Sequence, residues 1–249
     1  MSYKCGKRSK CRPRPDWLDP HQWQAFLRRD ERKFDQGAVG KKPSCLILCH
    51  PIKKRINRQE LRNICKSGNI RSMTWKQFTS ICAWGGIING NYHSAMQQWA
   101  NWSQFRRTLR RSNSLEDIYN SFINERNIES IKGIRAAYAT KIITFMRPDL
   151  NPYIMDQWTS KAINVLSRKN RRINFKYIGK YLSDNNTAGD YVLFCERMKQ
   201  LTCLYHRQKC LRKHQSEAER ADCFESRLFG RGGSNRSRWR QYVIRNSQT

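Results

Sequence analysis

The chain has 249 residues and carries 49 Lys and Arg against 19 Asp and Glu, a formal net charge of +30. A field of that strength attracts polyanions, so the partner classes are DNA, RNA and anionic membrane surfaces. A spanning helix is excluded, because no stretch approaches the ~20 apolar residues that it needs. The basic N-terminus is followed by no apolar segment, which argues against a secretory signal. We therefore expect an intracellular protein that does not contact a membrane and whose ten cysteines are reduced thiols or metal ligands rather than disulfides.

Helices dominate the predicted secondary structure, because apolar residues recur at helical spacing through most of the chain. Residues 1–15 predict a flexible basic arm, and residues 231–249 predict a flexible basic tail. One helical domain is expected between them, over residues 16–230. The predicted helices cover 20–34, 58–66, 74–83, 92–109, a helix capped by Ser114, and then 127–131, 136–146, 156–167, 174–183, 187–205 and 215–229. No strand is predicted.

Two stretches interrupt the helical pattern. The run from Trp84 to Asn91 is rich in Gly and Asn, which is typical of a loop. Further along, Gly133 separates a short helix from a second helix that ends at Pro148. A Pro-rich connection then brings Asp156 to the start of the next helix, where an Asp accepts backbone N–H bonds as a cap.

This second stretch resembles the signature of the helix–hairpin–helix DNA glycosylases, most closely their 8-oxoguanine branch. In that branch the catalytic Asp follows the first hairpin glycine at the spacing that separates Gly133 from Asp156 here. The hydrophobic approach to that Asp, with a following Trp, is matched by residues 153–158. Residues 78–82 and the Asn-containing loop after them resemble the element that fills the space left by an extruded base.

The resemblance implies a mostly α, two-lobed helical glycosylase fold with the helix–hairpin–helix at the cleft. Residues 127–158 would then hold the hairpin and the catalytic loop within the domain 16–230. The partner implied is double-stranded DNA with a modified base, bound by a monomer. No cofactor is expected to be required, and the chain would be associated with DNA inside the cell.

The resemblance implies that Asp156 is catalytic. The lysine that makes some family members bifunctional aligns with Ala137, but Lys141 lies one turn further on the same helical face. Two interpretations stay open. Lys141 attacks the sugar as an amine and forms a Schiff base, or Asp156 activates water or stabilises an oxocarbenium-like sugar while Lys141 belongs to a basic surface. A purely structural role for Asp156, as a helix cap, is the further alternative.

DNA contacts are implied for the hairpin and the gap-filling loop, and the basic tail offers more. The predicted DNA-binding residues are Lys132, Gly133, Ile134, Arg135, Asn89, Asn91, Arg231, Arg236 and Arg238. The candidates for stacking on the base in its pocket are Trp84, Tyr138 and Trp158. Turn formation is the alternative role for the two asparagines.

The resemblance also implies a monovalent cation at the hairpin, held by main-chain carbonyls near Lys132 and Ile134. Arg135 departs from the family pattern, because the second hairpin glycine belongs there. The C-terminal cysteines lack the spacing of iron–sulfur glycosylases, so no cluster is expected. Two sets suggest zinc as a minor alternative to free thiols, namely Cys203, His206, Cys210 and His214, and Cys45, Cys49 and His50.

Three hypotheses for function remain. The first is an enzyme that cleaves the N-glycosidic bond of an oxidised base, an alkylated base or a hypermodified base of invading phage DNA, the last being a defence role. The second is a non-catalytic helix–hairpin–helix protein, which Ala137 favours because the usual lysine is missing. The third is a basic RNA-binding or ribosome-associated protein, which rests on charge alone.

Overall fold

The computed structural model of the chain describes residues 14–29, 58–66, 73–85, 94–95, 97, 102–127, 133–208, 216–229 and 238–247. The α-helices of this part are α1 Pro20–Arg29, α2 Arg58–Lys66, α3 Trp75–Gly85, α4 Ser103–Arg111, α5 Leu115–Asn127, α6 Ala136–Met146, α7 Gln157–Leu166, α8 Ala188–Gln208, α9 Glu217–Phe229 and α10 Arg238–Asn246. Short 3-10 turns occupy Pro148–Leu150 and Lys169–Arg171, and the strands are β1 Tyr177–Ile178 and β2 Tyr181–Leu182. The predicted mostly helical fold is confirmed. Over these ranges the model contains no helix that is both long and apolar enough to traverse a bilayer.

The core is built where the apolar faces of these helices meet. Helix α5 packs on α4 and α8, and α6 packs on α2, α3 and α5. Helix α7 packs on α8, α9 and α10. Helices α6 and α7 are therefore supported from several sides, and this packing fixes their N-termini relative to each other.

The predicted helix over 174–183 is wrong. Tyr177 pairs with Leu182 and Ile178 pairs with Tyr181 in an antiparallel hairpin. The chain reverses at Gly179, whose φ of 56° is open to glycine without strain. A short apolar run of this kind fits both periodicities, and the glycine decides for the strands.

The helix predicted over 92–109 is not continuous. Trp102 has a non-helical ψ of 38° and lies immediately before α4. The residue is fully buried and contacts Phe78 edge to face at 5.2 Å, so its packing fixes the break. Of the predicted helices 20–34 and 127–131, the parts after residues 29 and 127 lie outside the described ranges.

The flexible tail predicted from residue 231 onward is wrong over α10. Trp239 and Val243 are buried, and the helix packs on α1 and α7. The ring of Trp239 meets Phe26 edge to face at 4.9 Å, and its indole N–H donates to the carbonyl of Leu228. Trp239, Tyr242 and Val243 recur at the spacing of an amphipathic helix, a signal that the surrounding arginines concealed.

Candidate active site and DNA-binding turn

Asp156 is the N-cap of α7, as predicted. Its Oδ1 accepts the backbone N–H groups of Trp158 at 2.8 Å and Thr159 at 3.0 Å, and the Thr159 hydroxyl at 3.2 Å. The Thr159 hydroxyl in turn accepts the N–H of Asp156, which completes a capping box. All of these contacts use Oδ1, so the capping leaves the second carboxylate oxygen available to a ligand.

The segment that leads to Asp156 is anchored by a buried carboxylate. Glu225 on α9 accepts the backbone N–H of Ile154 and forms an ion pair with Arg58 on α2. Arg58 also pairs with Asp222 at 2.8 Å. Burial raises the pKa of Glu225, while Arg58 opposes that rise. Buried charges of this kind are tolerated only when they are paired, so these contacts tie α2 and α9 to the segment before Asp156.

The same segment is also bonded to α6. The backbone N–H of Met155 donates to the Thr140 hydroxyl at 3.2 Å, and that hydroxyl lies one residue before Lys141. Tyr153 is held as well, because its carbonyl accepts the Tyr191 hydroxyl at 3.2 Å. These bonds hold the segment before Asp156 in place, and the bond from Met155 attaches it to α6 next to Lys141.

Lys141 is half-buried on α6. Burial lowers the pKa of its ammonium group, whereas Asp156 and Cys82 oppose that shift. Its Nζ lies 4.2 Å from the ring centroid of Tyr138, a cation–π distance. The carboxylate of Asp156 thus acts on the amine electrostatically, while burial favours the neutral form of the amine.

Close approach of α3 to α6 forms one wall of this site. The Tyr138 hydroxyl donates to the carbonyl of Gly85 at 3.0 Å. A Cβ at Gly85 would stand 2.8 Å from the Tyr138 ring and 3.2 Å from Cδ of Lys141, so only glycine allows this approach. Trp84 is half-buried beside it, with its ring 5.0 Å from that of Phe145.

Trp158 has a partner that the sequence analysis missed. The guanidinium carbon of Arg240 on α10 lies 4.2 Å from its ring centroid. Burial lowers the pKa of Arg240 to about 10, and Asp156 opposes that shift. One face of the Trp158 ring is thus covered by a buried cation that also lies near Asp156.

Gly133, at the predicted hairpin turn, has a φ of 74°, while residues 128–132 before it lie outside the described ranges. Ile134 is buried after it, and Arg135 is exposed at the N-cap position of α6. The positive φ explains why glycine stands at this turn. An exposed arginine beside a helix N-terminus suits a phosphate group.

A second aspartate clamps this turn. Asp184 accepts the N–H of Ala136, the first residue of α6, at 2.7 Å. Its other oxygen pairs with Arg126 at 2.8 Å, and Arg126 donates to the carbonyl of Ile134 at 3.1 Å. Residues of α5, the turn and the chain after β2 are joined in this way. No sequence signal marked Arg126 or Asp184, because neither lies in the hairpin motif.

The described part of the turn does not fit the monovalent cation that the resemblance implies. The carbonyl of Ile134 already accepts a hydrogen bond from Arg126, and the guanidinium charge opposes a second cation at that oxygen. Lys132, beside the other implied carbonyl position, lies outside the described ranges.

The remaining predicted residues fall in two groups. Arg238 is exposed at the start of α10. Those outside the described ranges are Lys132, Asn89, Asn91, Arg231 and Arg236, together with Cys45, Cys49, His50, Cys210 and His214 of the zinc alternatives. Among the residues that are described, no group of three or more His, Cys, Asp and Glu could hold a metal ion. His206 contacts the carbonyl of Arg220 at 3.0 Å instead.

Comparison with known proteins gives one family. The family model described as "Putative 8-oxoguanine DNA glycosylase OGG-like protein" matches residues 10–229. Neither a curated protein nor a solved structure matches the chain. The match includes Gly133, Lys141 and Asp156, and it ends before α10 and therefore before Arg240.

Proposed function

The chain belongs to the OGG-like glycosylase family, and from that premise we propose that it excises a modified base from double-stranded DNA by cleaving the N-glycosidic bond. The observation that carries the proposal is the joint placement of the carboxylate of Asp156, which caps a helix, and the half-buried amine of Lys141. A base inside a duplex is out of reach, so the target nucleotide must first be extruded into the site.

Asp156 is proposed to stabilise positive charge on the sugar. The bonds to Oδ1 fix the orientation of the carboxylate before substrate arrives. Because Oδ2 makes no capping bond, it can contact substrate without breaking one. A preorganised anion of this kind favours the oxocarbenium-like sugar in the transition state over the neutral sugar. The anchoring of Ile154 by Glu225 supports this role, because it limits movement of the carboxylate.

Lys141 is proposed to be the nucleophile. Its lowered pKa increases the share of neutral amine near neutral pH. The nitrogen would bond to C1′ as the N-glycosidic bond breaks, and the base would leave with the bonding electron pair and take up a proton. Opening of the sugar ring would then give a Schiff base, from which β-elimination cuts the strand. If the amine does not reach C1′, Asp156 directs water there and only the base is released.

The hairpin turn is proposed to hold the strand beside the extruded nucleotide. Arg135 is exposed where α6 begins, while Asp184 already takes the first N–H of that helix. Phosphate contact would therefore depend more on the Arg135 side chain than on the helix N-terminus alone. The proposal needs no cation at this turn, and we keep Asn89 and Asn91 as candidates for filling the gap.

Non-catalytic DNA binding is the second candidate function. Ala137, on α6 in the position where the family has its lysine, favours it. Lys141 on the same helix weighs against it, because a binding module has no use for a half-buried amine whose pKa is lowered by burial.

The test is a panel of duplexes that each carry one modified base. The family description names 8-oxoguanine, so that duplex comes first, followed by alkylated bases and the hypermodified bases of phage DNA. Release of one base and the appearance of an abasic site or a cut strand would support the proposal. Tight binding to every duplex without release of any base would contradict it and favour the second candidate.

A further inference from the structure

The β1–β2 hairpin is connected to both parts of the molecule that are proposed to face DNA. At its start, the Tyr177 hydroxyl donates to the Ser160 hydroxyl at 3.0 Å, and Ser160 donates to the carbonyl of Asp156 at 2.6 Å. After its end, Asp184 clamps the N-terminus of α6 at Ala136. The hairpin is thus linked through short chains of hydrogen bonds to both the catalytic helix and the hairpin turn.

Two large apolar side chains stand on this hairpin in solvent. Ile178 is 62% exposed and Tyr181 is 51% exposed. They are cross-strand partners, so they lie side by side on one face of the strands. Leu193 on α8, at 38%, is the other large apolar residue exposed in the described ranges. Two adjacent exposed apolar side chains indicate an interaction surface more strongly than isolated ones do.

A buried side chain and several hydrogen bonds hold the hairpin in place. Leu182 is buried, and the Asn186 amide bonds to both the N–H and the carbonyl of Lys176 at 2.9 Å. The N–H of Ser183 donates to the carbonyl of Lys176 as well. The two apolar side chains are therefore presented on a fixed support, and little ordering is needed when a partner binds.

The charge around the apolar pair indicates which partner fits. Lys176 and Lys180 are exposed on either side of the pair. Lys180 lies 5.3 Å from the Tyr181 ring, and Lys161 on α7 lies 5.3 Å from the Tyr177 ring. No acidic residue occurs from 173 to 183. Apolar and aromatic side chains framed by cations suit bases and phosphates together.

We propose that the β1–β2 hairpin is a DNA-contacting element, in which Ile178 and Tyr181 pack against bases exposed next to the extruded nucleotide. Lys176 and Lys180 contact the flanking phosphates. This inference rests on the proposed function, because it takes the DNA path from the positions of Asp156 and the hairpin turn. Its occupant is a duplex that is locally opened, since a fully stacked duplex offers no base face to these side chains.

The test compares binding to two duplexes of one sequence, one fully paired and one with a tetrahydrofuran abasic analogue, by fluorescence anisotropy. For the Ile178→Ala/Tyr181→Ala double variant we expect about tenfold weaker binding to the abasic duplex, the size of a lost base–aromatic stack. Binding to the paired duplex should change less than about twofold. Leu193→Ala is the matched control, because it removes an exposed apolar side chain elsewhere and should bind both duplexes as the unaltered protein does.

A Lys176→Ala/Lys180→Ala variant tests the phosphate contacts separately. The slope of log K against log salt should fall by about two units for two lost contacts. Equal losses on both duplexes for the apolar variant, or no loss on either, would overturn the inference. So would a change in oligomeric state in sedimentation, since the pair would then be a contact between copies of the chain. Binding alone is measured, so a chain that binds but releases no base would refute the proposed function and leave this result standing.

Discussion

Helices α6 and α7 both begin at a backbone N–H group bound by an aspartate, and the two aspartates are used differently. Asp156 caps its own helix, and every capping bond goes to Oδ1. Asp184 caps α6 from a distance, with Oδ1 on Ala136 and Oδ2 on Arg126. The same side chain in the same electrostatic setting has one free oxygen in the first case and none in the second.

This difference indicates which carboxylate is suited to chemistry. The local cap leaves one carboxylate oxygen without a capping bond, near a half-buried amine on the neighbouring helix. A remote cap that also neutralises an arginine completes a structural clamp around the turn. Under the proposed function, Asp156 acts on the substrate and Asp184 holds the turn, so variants of the two regions should differ in their effects.

The largest expected effect is on the covalent step at the catalytic end. Lys141→Gln removes the amine, so borohydride should trap no protein–DNA adduct where the unaltered protein gives one. The measurement is a denaturing gel of reactions treated with borohydride. Lys161→Gln on α7 is the control, because it removes a different lysine and keeps Lys141. Adduct formation by the Lys141→Gln variant would break the proposed division of roles.

A large loss of stability is expected where Glu225 anchors the segment before Asp156. Glu225→Ala leaves Arg58 with one buried partner fewer and the N–H of Ile154 without its acceptor, which should cost about 3 kcal/mol of unfolding free energy. Denaturant unfolding measures this. Glu217→Ala, exposed on the same helix, should cost less than about 0.5 kcal/mol. Equal costs for both variants would show that the anchor contributes no stability.

A moderate effect is expected at the remote clamp. The unaltered protein should bind DNA equally well when K⁺ is replaced by tetramethylammonium at constant ionic strength, because Arg126 already occupies the Ile134 carbonyl. Arg126→Met should weaken binding about tenfold and make it depend on K⁺. Arg28→Met on α1 is the control, because it makes the same change in charge at a residue that does not contact the turn. A K⁺ requirement in the unaltered protein would contradict the clamp.

The smallest effect is expected on the stability of the local cap. Asn caps helices about as well as Asp, so Asp156→Asn should change the unfolding free energy by only a few tenths of a kcal/mol. Thermal unfolding of the two proteins side by side measures this. A shift of several kcal/mol would show that the charge of Asp156 is structural, and the two aspartates would then be alike.

The local features of this arrangement could be predicted from the sequence. The turn at Gly133 and the cap at Asp156 depend on residues within a few positions, and Lys141 follows from helical spacing on α6. Such features need only local propensity and periodicity.

The remote contacts could not be predicted. Asp184, Glu225 and Arg240 reach the site from distant parts of the chain, and in a chain with a net charge of +30 a buried arginine looks like a solvated one. Glu225 is spaced like any residue of an amphipathic helix, and its ion pair with Arg58 on α2 exists only in the folded chain. Only the tertiary fold distinguishes these side chains from their exposed neighbours.

The most direct test of the account is single-turnover base release by the Asp156→Asn protein on the substrate that the duplex panel identifies. The variant should fold and bind that duplex as the unaltered protein does, yet release the base about a thousandfold more slowly, because the charge that stabilises the transition state is gone. Release at an unchanged rate would contradict the central claim that the free oxygen of Asp156 acts on the sugar.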